Sequence, residues 1–149
     1  ATHRGLTRPD CRRVGQPEPT MTTDRFSTGQ AALSRIHGHV GEGVMQALQD
    51  IAPDFARMII EFPYGDVYSR PGLTPKERQI ATLASLITQG NAPKELKAHI
   101  QGSLNVGCTR QEVVEVIMQM AVYAGFPAAV NAMLVAKELF AELDQINAP

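Results

Sequence analysis

The sequence predicts an all-α protein, a compact bundle of about six to seven helices. From Ser27 onward, apolar residues recur at spacings of three and four, which is the period of an amphipathic helix. Alternating patterns and β-branched runs, which are typical of strands, are missing from the same stretch. Capping residues, prolines and glycines divide it into segments of ordinary helix length.

Length and composition indicate one domain. The chain has 149 residues, of which 44% are hydrophobic, and this is enough for a single core. We expect that domain to span residues 21–149 and to begin at Met21. Residues 1–20 hold four arginines and three prolines without apolar periodicity, so they offer too little apolar surface to offset the entropy of ordering them. We expect this N-terminal segment to be disordered, or to be foreign sequence ahead of the natural start.

Charge and hydropathy exclude several classes of partner. The net charge is −1 and the pI is about 6.5, so no basic field exists for nucleic acid or an anionic membrane. No apolar run approaches the roughly 20 residues that span a bilayer. Cys11 and Cys108 form neither a Cys-x-x-Cys pair nor a zinc-ligand spacing, which argues against a disulfide scaffold and favours a cytoplasmic protein.

The sequence of the first half of the domain predicts three helices. The apolar residues that mark the first are Ala32, Leu33 and Ile36, and those that mark the second are Val44, Leu48 and Ile51. The junction between the two contains Gly38, Gly41 and Gly43. The third helix runs from Pro53 to Phe62, ends at Pro63, and should bury one face. The residues of that face are Phe55, Met58, Ile59 and Phe62.

The second half carries clearer helix boundaries. A capping box at Thr74 and Glu77 predicts a helix over about residues 75–89. The next helix begins near Pro93 and ends before Gly107. Another capping box, formed by Thr109 and Glu112, starts a helix whose apolar stripe is wide enough for a central position or a subunit contact. An alanine-rich helix then reaches about Leu143.

His99 is the leading candidate for chemistry. It lies between Leu96 and Ile100 at the edge of an apolar face, so its imidazole should point into or beside the core. Glu95, one turn earlier, could orient the ring or hold its charged form, and such a pair can exchange protons near neutral pH. From the residues alone, a structural histidine bonded to a carbonyl is the commoner outcome.

The connector from Tyr64 to Leu73 is a second candidate. Arg70 could clamp a carboxylate, and Asp66 could align it or exchange protons. An Asp66–Arg70 ion pair that pins the loop fits the same residues equally well. Tyr123 could lend a hydroxyl to a pocket, although a buried tyrosine with one bonded hydroxyl is commoner.

Metal and thiol chemistry are weakly indicated. His37, His39 and Glu42 lie close together, but glycines surround them and no third histidine is near, so we expect no metal. Cys108 precedes a helix start, which can lower a thiol pKa, yet it has no resolving cysteine beside it. We expect it to be inert.

The order of residues from Tyr64 to Leu73 resembles a segment of the carboxymuconolactone decarboxylase family: aromatic, glycine, acid, hydrophobe, aromatic, Ser/Thr, Arg, Pro, Gly, Leu. Three more stretches agree: residues 83–90, the trio Glu95, Leu96 and His99, and residues 123–129. With the turn at 107–112, the similarity spans residues 53–143. The resemblance implies a bundle of the alkylhydroperoxidase-D-like type that assembles as a homo-oligomer, a trimer or a hexamer.

Departures from the family pattern refine this resemblance. Redox members of the wider superfamily carry a Cys-x-x-Cys motif, which would fall on Ala92 and Glu95 here, so the chain is similar to the decarboxylase branch. Other positions also differ from the usual residue, and they leave the substrate open. They are Asp66 in place of glutamate, Tyr64 and Tyr68 in place of tryptophan, and Asn91 in place of arginine.

The resemblance implies a decarboxylase that acts on 4-carboxymuconolactone or a related small lactone or carboxylic acid, as in aromatic catabolism of the β-ketoadipate type. It implies no cofactor, because the substrate itself takes up the electrons. The implied site has His99 as proton donor, Glu95 orienting it, Arg70 binding a carboxylate and Asp66 holding Arg70 or joining the proton relay. The implied substrate contacts are Arg70, Tyr123, Tyr68 and Tyr64.

Two other functions stay open at this point. One is a thiol peroxidase or disulfide reductase of the same superfamily that depends on Cys108. The other is a non-catalytic oligomer that binds a small carboxylate through Arg70.

Overall fold

A computed structural model of the chain describes residues 24–148. Within them the chain forms six α-helices and one π-helical segment, and it contains no strand. The predicted all-α bundle is confirmed. The expected boundary at Met21 and the expected disorder of residues 1–20 lie outside the described residues. None of the described helices is long and apolar enough to cross a membrane.

Helix α1 spans Asp24–Ala47 and is broken at Gly38, whose φ of 53° is left-handed. Only glycine adopts this conformation without strain, so the break falls within the predicted glycine junction. Ala32, Leu33 and Ile36 are buried in the first half of α1, as predicted. The predicted second helix is the other half of α1, and it ends at Ala47 because the following residues form a turn.

Helix α2 spans Pro53–Ile59 and continues directly into a π-helical segment, Ile60–Tyr68, called here the π segment. The predicted helix end at Pro63 is therefore wrong. A proline ring collides with the carbonyl four residues back in an α-helix, whereas the wider π turn displaces that carbonyl and accommodates the ring. The first half of the predicted connector from Tyr64 to Leu73 is consequently helical, and the rest is a turn.

The predicted buried face of α2 is also wrong. Phe55, Met58 and Phe62 are more than half exposed, and Ile59 is only partly buried. The buried residues of this region are instead Ala56, Ile60 and Tyr64. Periodicity identifies an apolar face but does not tell which face meets a neighbour, and the small Ala56 allows the closer approach.

Two glycines allow α1 and the π segment to touch backbone to backbone. A Cβ on Gly29 would lie 2.1 Å from the carbonyl oxygen of Ile60, and one on Gly65 would lie 2.6 Å from that of Arg25. Both distances are far below van der Waals contact. Helix α1 and the π segment can therefore pack this closely only with glycine at both positions.

The remaining helices follow the sequence prediction closely. Their bounds are Pro75–Gln89 for α3, Pro93–Asn105 for α4, Arg110–Ala124 for α5 and Phe126–Ile146 for α6. Both predicted capping boxes are formed, Thr74 with Glu77 and Thr109 with Glu112. These reciprocal hydrogen bonds satisfy helix N–H groups that would otherwise have no partner, which is why the two starts were predictable.

The core consists of two clusters of buried side chains. One joins α1, α2 and the π segment, and the other joins α3 to α6. Helix α4 packs against α1 on one side and against α3 and α6 on the other. A polar residue on the α1-facing side of α4 therefore lies between the two clusters.

Candidate active site

A cavity of about 420 Å³ lies between α1, α4 and the region where α2 meets the π segment. Its walls are mainly apolar, with side chains such as Leu33, Val44 and Met45. The titratable side chains that line it are His37, Tyr64, Lys94, Glu95 and His99. An apolar pocket with a few polar groups suits a small organic molecule.

His99 contributes its imidazole to this cavity from α4. Its Nδ1 lies 3.0 Å from the amide oxygen of Gln79, a fully buried side chain on α3. An amide oxygen only accepts, so Nδ1 donates and the neutral ring keeps its lone pair on Nε2. Burial, with a further contribution from nearby His37, lowers the pKa of His99 to about 4. The imidazole is therefore uncharged at neutral pH.

His37 is a second histidine in the cavity, and the sequence did not assign it to the site. It directly precedes the break in α1 and is only 6% exposed. Its ring stands edge to face against His99, with 4.7 Å between the centroids, and against Tyr64 at 5.8 Å. Burial lowers the pKa of His37 too, although a hydrogen bond with the backbone of Ala98 opposes this. The cavity thus holds two touching imidazoles.

Gln79 is the other functional residue that sequence reasoning missed. A signal was present, because Gln79 begins the buried stripe that Leu83 and Ile87 continue at spacings of four. A polar side chain at a buried position needs a partner, and here that partner is His99. His37 gave no comparable signal, since its place in the site depends on how α1 packs against α4.

The cavity brings together three of the predicted site residues: His99, Glu95 and Tyr64. Glu95 is exposed at the rim, and the hydrogen bond that orients the His99 ring comes from Gln79. Tyr64 is 7% exposed, and burial raises the pKa of its hydroxyl. Tyr64 is therefore a neutral wall residue with a polar tip.

Arg70 and Asp66 lie outside the cavity wall. The carboxylate of Asp66 accepts two hydrogen bonds from Arg25, from Nε at 2.9 Å and from Nη2 at 2.6 Å. Arg70 is exposed, and its backbone carbonyl accepts a hydrogen bond from Nη2 of Arg78 at 3.0 Å. The Asp66 ion pair therefore fastens the π segment to α1 and does not involve Arg70.

Tyr68 and Tyr123 also lie away from the cavity. The Tyr68 hydroxyl is 2.6 Å from Oγ1 of Thr82, which ties the end of the π segment to α3. Tyr123 is 76% exposed near the end of α5. A single chain therefore does not bring either tyrosine to His99.

Cys108 is a buried free cysteine, and burial raises the pKa of its thiol. A raised pKa keeps the thiol protonated and lowers its nucleophilicity. His39 is fully exposed and lies 3.3 Å from the carboxylate of Glu42. Within residues 24–148, no three side chains are grouped as metal ligands.

The sequence is similar to those of known decarboxylases. Residues 53–138 match the model of the carboxymuconolactone decarboxylase family. A 4-carboxymuconolactone decarboxylase of Acinetobacter baylyi is 36% identical over 121 residues, which cover 80% of this chain and 89% of that protein. A nitrosuccinic acid decarboxylase of Metarhizium robertsii is 39% identical over 101 residues, which cover 65% of this chain and 69% of that protein.

The match to the family model runs from α2 into α6 and contains His99, Glu95 and Gln79, whereas His37 precedes it. More than half of the chain is covered by this match, and the resemblance seen in the residue pattern is confirmed. The chain belongs to the carboxymuconolactone decarboxylase family.

Proposed function

We propose that this chain is a cofactor-independent carboxy-lyase that acts on 4-carboxymuconolactone or on another small acid with a built-in electron acceptor. Two relatives carry the names of decarboxylases, one for 4-carboxymuconolactone and one for nitrosuccinic acid. A conjugated lactone carbonyl and a nitro group can each take up the electron pair that a departing CO2 leaves behind. This shared property defines the substrate class.

The observation that carries the proposal is the imidazole of His99, which lies in the wall of a mainly apolar cavity with Nδ1 held by Gln79. In the empty cavity His99 is uncharged, because burial lowers its pKa to about 4. A substrate carboxylate that enters brings an opposite charge close to the ring and favours its protonated form. The bound acid thus recruits the proton that the reaction later consumes.

The chemical steps then use this proton at the carbon that loses CO2. The bond between carbon and the carboxylate breaks, CO2 leaves, and the electron pair moves to the acceptor group of the substrate. The His99 imidazolium delivers its proton to carbon, so each turnover consumes one proton from solvent. The apolar walls keep competing water away from the carbanion.

A cation must hold the anionic substrate, and we assign this role to Lys94. It lines the cavity and appears in none of the ion pairs that the side chains of residues 24–148 form. Arg70 lies outside the wall of a single chain, so it can reach a substrate only where a second copy brings it to a neighbouring cavity. Tyr64, which shares the cavity with His99, is the remaining proposed substrate contact.

We propose further that the chain forms a homo-oligomer through α5 and α6. A groove of about 380 Å³ runs between these helices on the outer surface. Four apolar side chains along it are at least half exposed: Met118, Val122, Phe126 and Val130. A continuous apolar face of this kind favours burial against a second copy of the same surface.

Thiol peroxidase chemistry receives no comparable support. Ala92 and Glu95 occupy the positions of the redox cysteines, and Cys108 is buried with a raised pKa. A decarboxylase remains the function that the cavity supports best.

The experiment that tests the proposal is a decarboxylation assay with a panel of small acids. Purified full-length chain would be mixed with 4-carboxymuconolactone, nitrosuccinate and an acid of equal size without an acceptor group. We expect ultraviolet-monitored turnover and CO2 release with at least one of the first two and none with the third. Binding of these acids without turnover would contradict the enzyme and favour a carboxylate-binding protein.

A further inference from the structure

The surroundings of His37 are shaped to hold an imidazole ring. A Cβ on Gly102 of α4 would lie 3.1 Å from Cε1 and 3.2 Å from Nδ1 of that ring. A Cβ on Gly41, one turn further along α1, would lie 2.9 Å from the Cβ of His37. The same Cβ atoms would crowd Ile36 and Leu33, so a larger residue at either position would force His37 and these neighbours to shift. The two glycines therefore leave the space that brings its ring against His99.

One nitrogen of His37 is buried without a partner. Nε2 makes no hydrogen bond within the described residues. The backbone of Ala98 also acts on this ring and partly opposes the fall in its pKa. A buried ring nitrogen without a hydrogen-bond partner is destabilising, so a position that served packing alone would favour an apolar side chain.

We propose that His37 and His99 form a coupled pair that carries a single proton, and that His37 thereby tunes the protonation of His99. The pair deepens the proposed decarboxylation and rests on it, since that reaction consumes one proton per turnover. The two rings touch edge to face inside a mainly apolar cavity, where charges are weakly screened. A proton on one ring therefore opposes a second proton on the other.

Three other titratable groups line the cavity beside the pair. Lys94 and Glu95 come from α4, and Tyr64 comes from the π segment. Burial raises the pKa of Tyr64, so its hydroxyl stays neutral. The Lys94 cation disfavours a charged pair in the empty cavity, and a bound carboxylate reverses this effect. Glu95 is exposed to water, which weakens its influence.

The proton balance of the reaction assigns distinct roles to the two rings. A bound carboxylate draws one proton from solvent onto the pair. When CO2 leaves, the electron pair stays on the substrate and His99 transfers that proton to carbon, which returns both rings to the neutral form. His37 needs no bond to the substrate in this cycle and is a positioning residue.

The test is an NMR titration of the full chain with 13C-labelled histidine rings. Wild type is compared with His37→Asn and His99→Asn, and with His39→Asn as the control because His39 is fully exposed. We expect H37N to raise the pKa of His99 by at least about 1 pH unit. In H99N the remaining ring, His37, should titrate in one step instead of two, because no second ring opposes its proton. H39N should change neither value.

Independent titration of the two rings, with each midpoint unchanged when the other histidine is replaced, would overturn the pair. Should H37N not fold, H99N and the two-step titration of wild type report the same coupling. None of these readouts needs substrate. Coupling without turnover by the acid panel would reject the decarboxylase and keep the pair. Turnover without coupling would reject the pair and keep the decarboxylase. Where turnover and coupling are both found, we expect the acid side of the pH profile of kcat/KM to shift in H37N by the same amount as the pKa of His99.

Discussion

His99 differs from a surface histidine because its surroundings decide which nitrogen is basic and when the ring becomes charged. Gln79 accepts from Nδ1, and burial beside His37 keeps the ring neutral at pH 7. A charged ring in this cavity needs a compensating anion. A substrate carboxylate is such an anion, so substrate binding and protonation are linked.

Carboxylate binding can be assigned by comparing two exposed cations. Lys94→Ala should raise KM by about 10-fold and change kcat less, because one charge-assisted hydrogen bond contributes roughly 1.5–3 kcal/mol to binding. Arg70→Ala is the matched control, since Arg70 is exposed but lies outside the cavity wall. Steady-state kinetics measures both. A larger rise in KM for R70A would move carboxylate binding to Arg70 and would require a second copy at the site.

The positions of single residues relative to the cavity were only partly predictable from the sequence. His99 was predictable because it interrupts an apolar face of α4, where a polar ring must meet the core. Arg70 and Asp66 are sequence neighbours of Tyr64, yet the turn of the π segment directs them away from the cavity. His37 is far from His99 in sequence, and only the packing of α1 on α4 joins them.

At the scale of the elements, the contact between α1 and the π segment depends on the absence of a Cβ atom at Gly29. Gly29→Ala should lower the free energy of unfolding by at least about 2 kcal/mol, because the new Cβ meets the Ile60 carbonyl, which is backbone and cannot rotate away. Urea denaturation measures the change.

Gly43→Ala provides the control for that variant within the same helix. A Cβ on Gly43 meets nothing within 4 Å, and alanine favours a helix. We expect G43A to raise the free energy of unfolding by up to about 1 kcal/mol. Equal effects of G29A and G43A would contradict the close backbone contact.

Element boundaries were predictable where local chemistry sets them. Both capping boxes and the left-handed glycines Gly90 and Gly107 fix helix ends through hydrogen bonds within a few residues. The predicted helix end at Pro63 was wrong because the effect of a proline depends on the type of helix around it, and no local sequence pattern indicates a π turn. The predicted buried face of α2 was wrong because Phe55 is apolar but is not covered by any neighbour among residues 24–148.

For the whole molecule, the buried histidines make stability depend on pH. An unfolded histidine takes up a proton near pH 6.5, whereas folded His99 does so near pH 4, so the unfolded state binds more protons between these values. Stability is therefore greatest above pH 6.5 and falls as the pH drops toward 4. The titration of His99 alone should lower the free energy of unfolding by about 2 kcal/mol between pH 7 and pH 5. The lowered pKa of His37 acts in the same direction.

Urea midpoints at the two pH values measure this loss, and the window above pH 5 leaves most carboxylates ionised. The loss should shrink in His99→Asn and persist in His39→Asn, whose side chain is exposed. Equal stability of wild type at pH 7 and pH 5 would show that the histidines are not buried in the neutral form.

Assembly is the other property of the whole molecule that can be tested. Val122→Glu places a charge on the apolar face of α5, where the side chain is 77% exposed in a single chain. We expect wild type to run as a trimer or hexamer in size-exclusion chromatography with light scattering, and V122E to dissociate, because burying an unpaired carboxylate is costly. Gln89→Glu adds the same charge to an exposed site on α3 and should leave assembly intact. A monomeric wild type would contradict the oligomer.

The sequence predicted the fold class more completely than it predicted which residues line the cavity. Helical periodicity and capping are local, so the all-α bundle was visible residue by residue. The cavity forms where the two core clusters meet, and that meeting depends on contacts between α1 and α4 distant in sequence. The chemistry proposed for His99 rests on the family resemblance, because local patterns alone favoured a structural histidine.

The kcat/KM of His99→Asn for the acid that wild type decarboxylates tests the central claim most directly. Asparagine fills the position and can hydrogen-bond to Gln79, but it cannot carry a proton. We predict a fall of at least about 100-fold with an unchanged circular dichroism spectrum, while His39→Asn keeps full activity. Turnover by folded H99N at the wild-type rate would contradict His99 as the proton donor of this cavity.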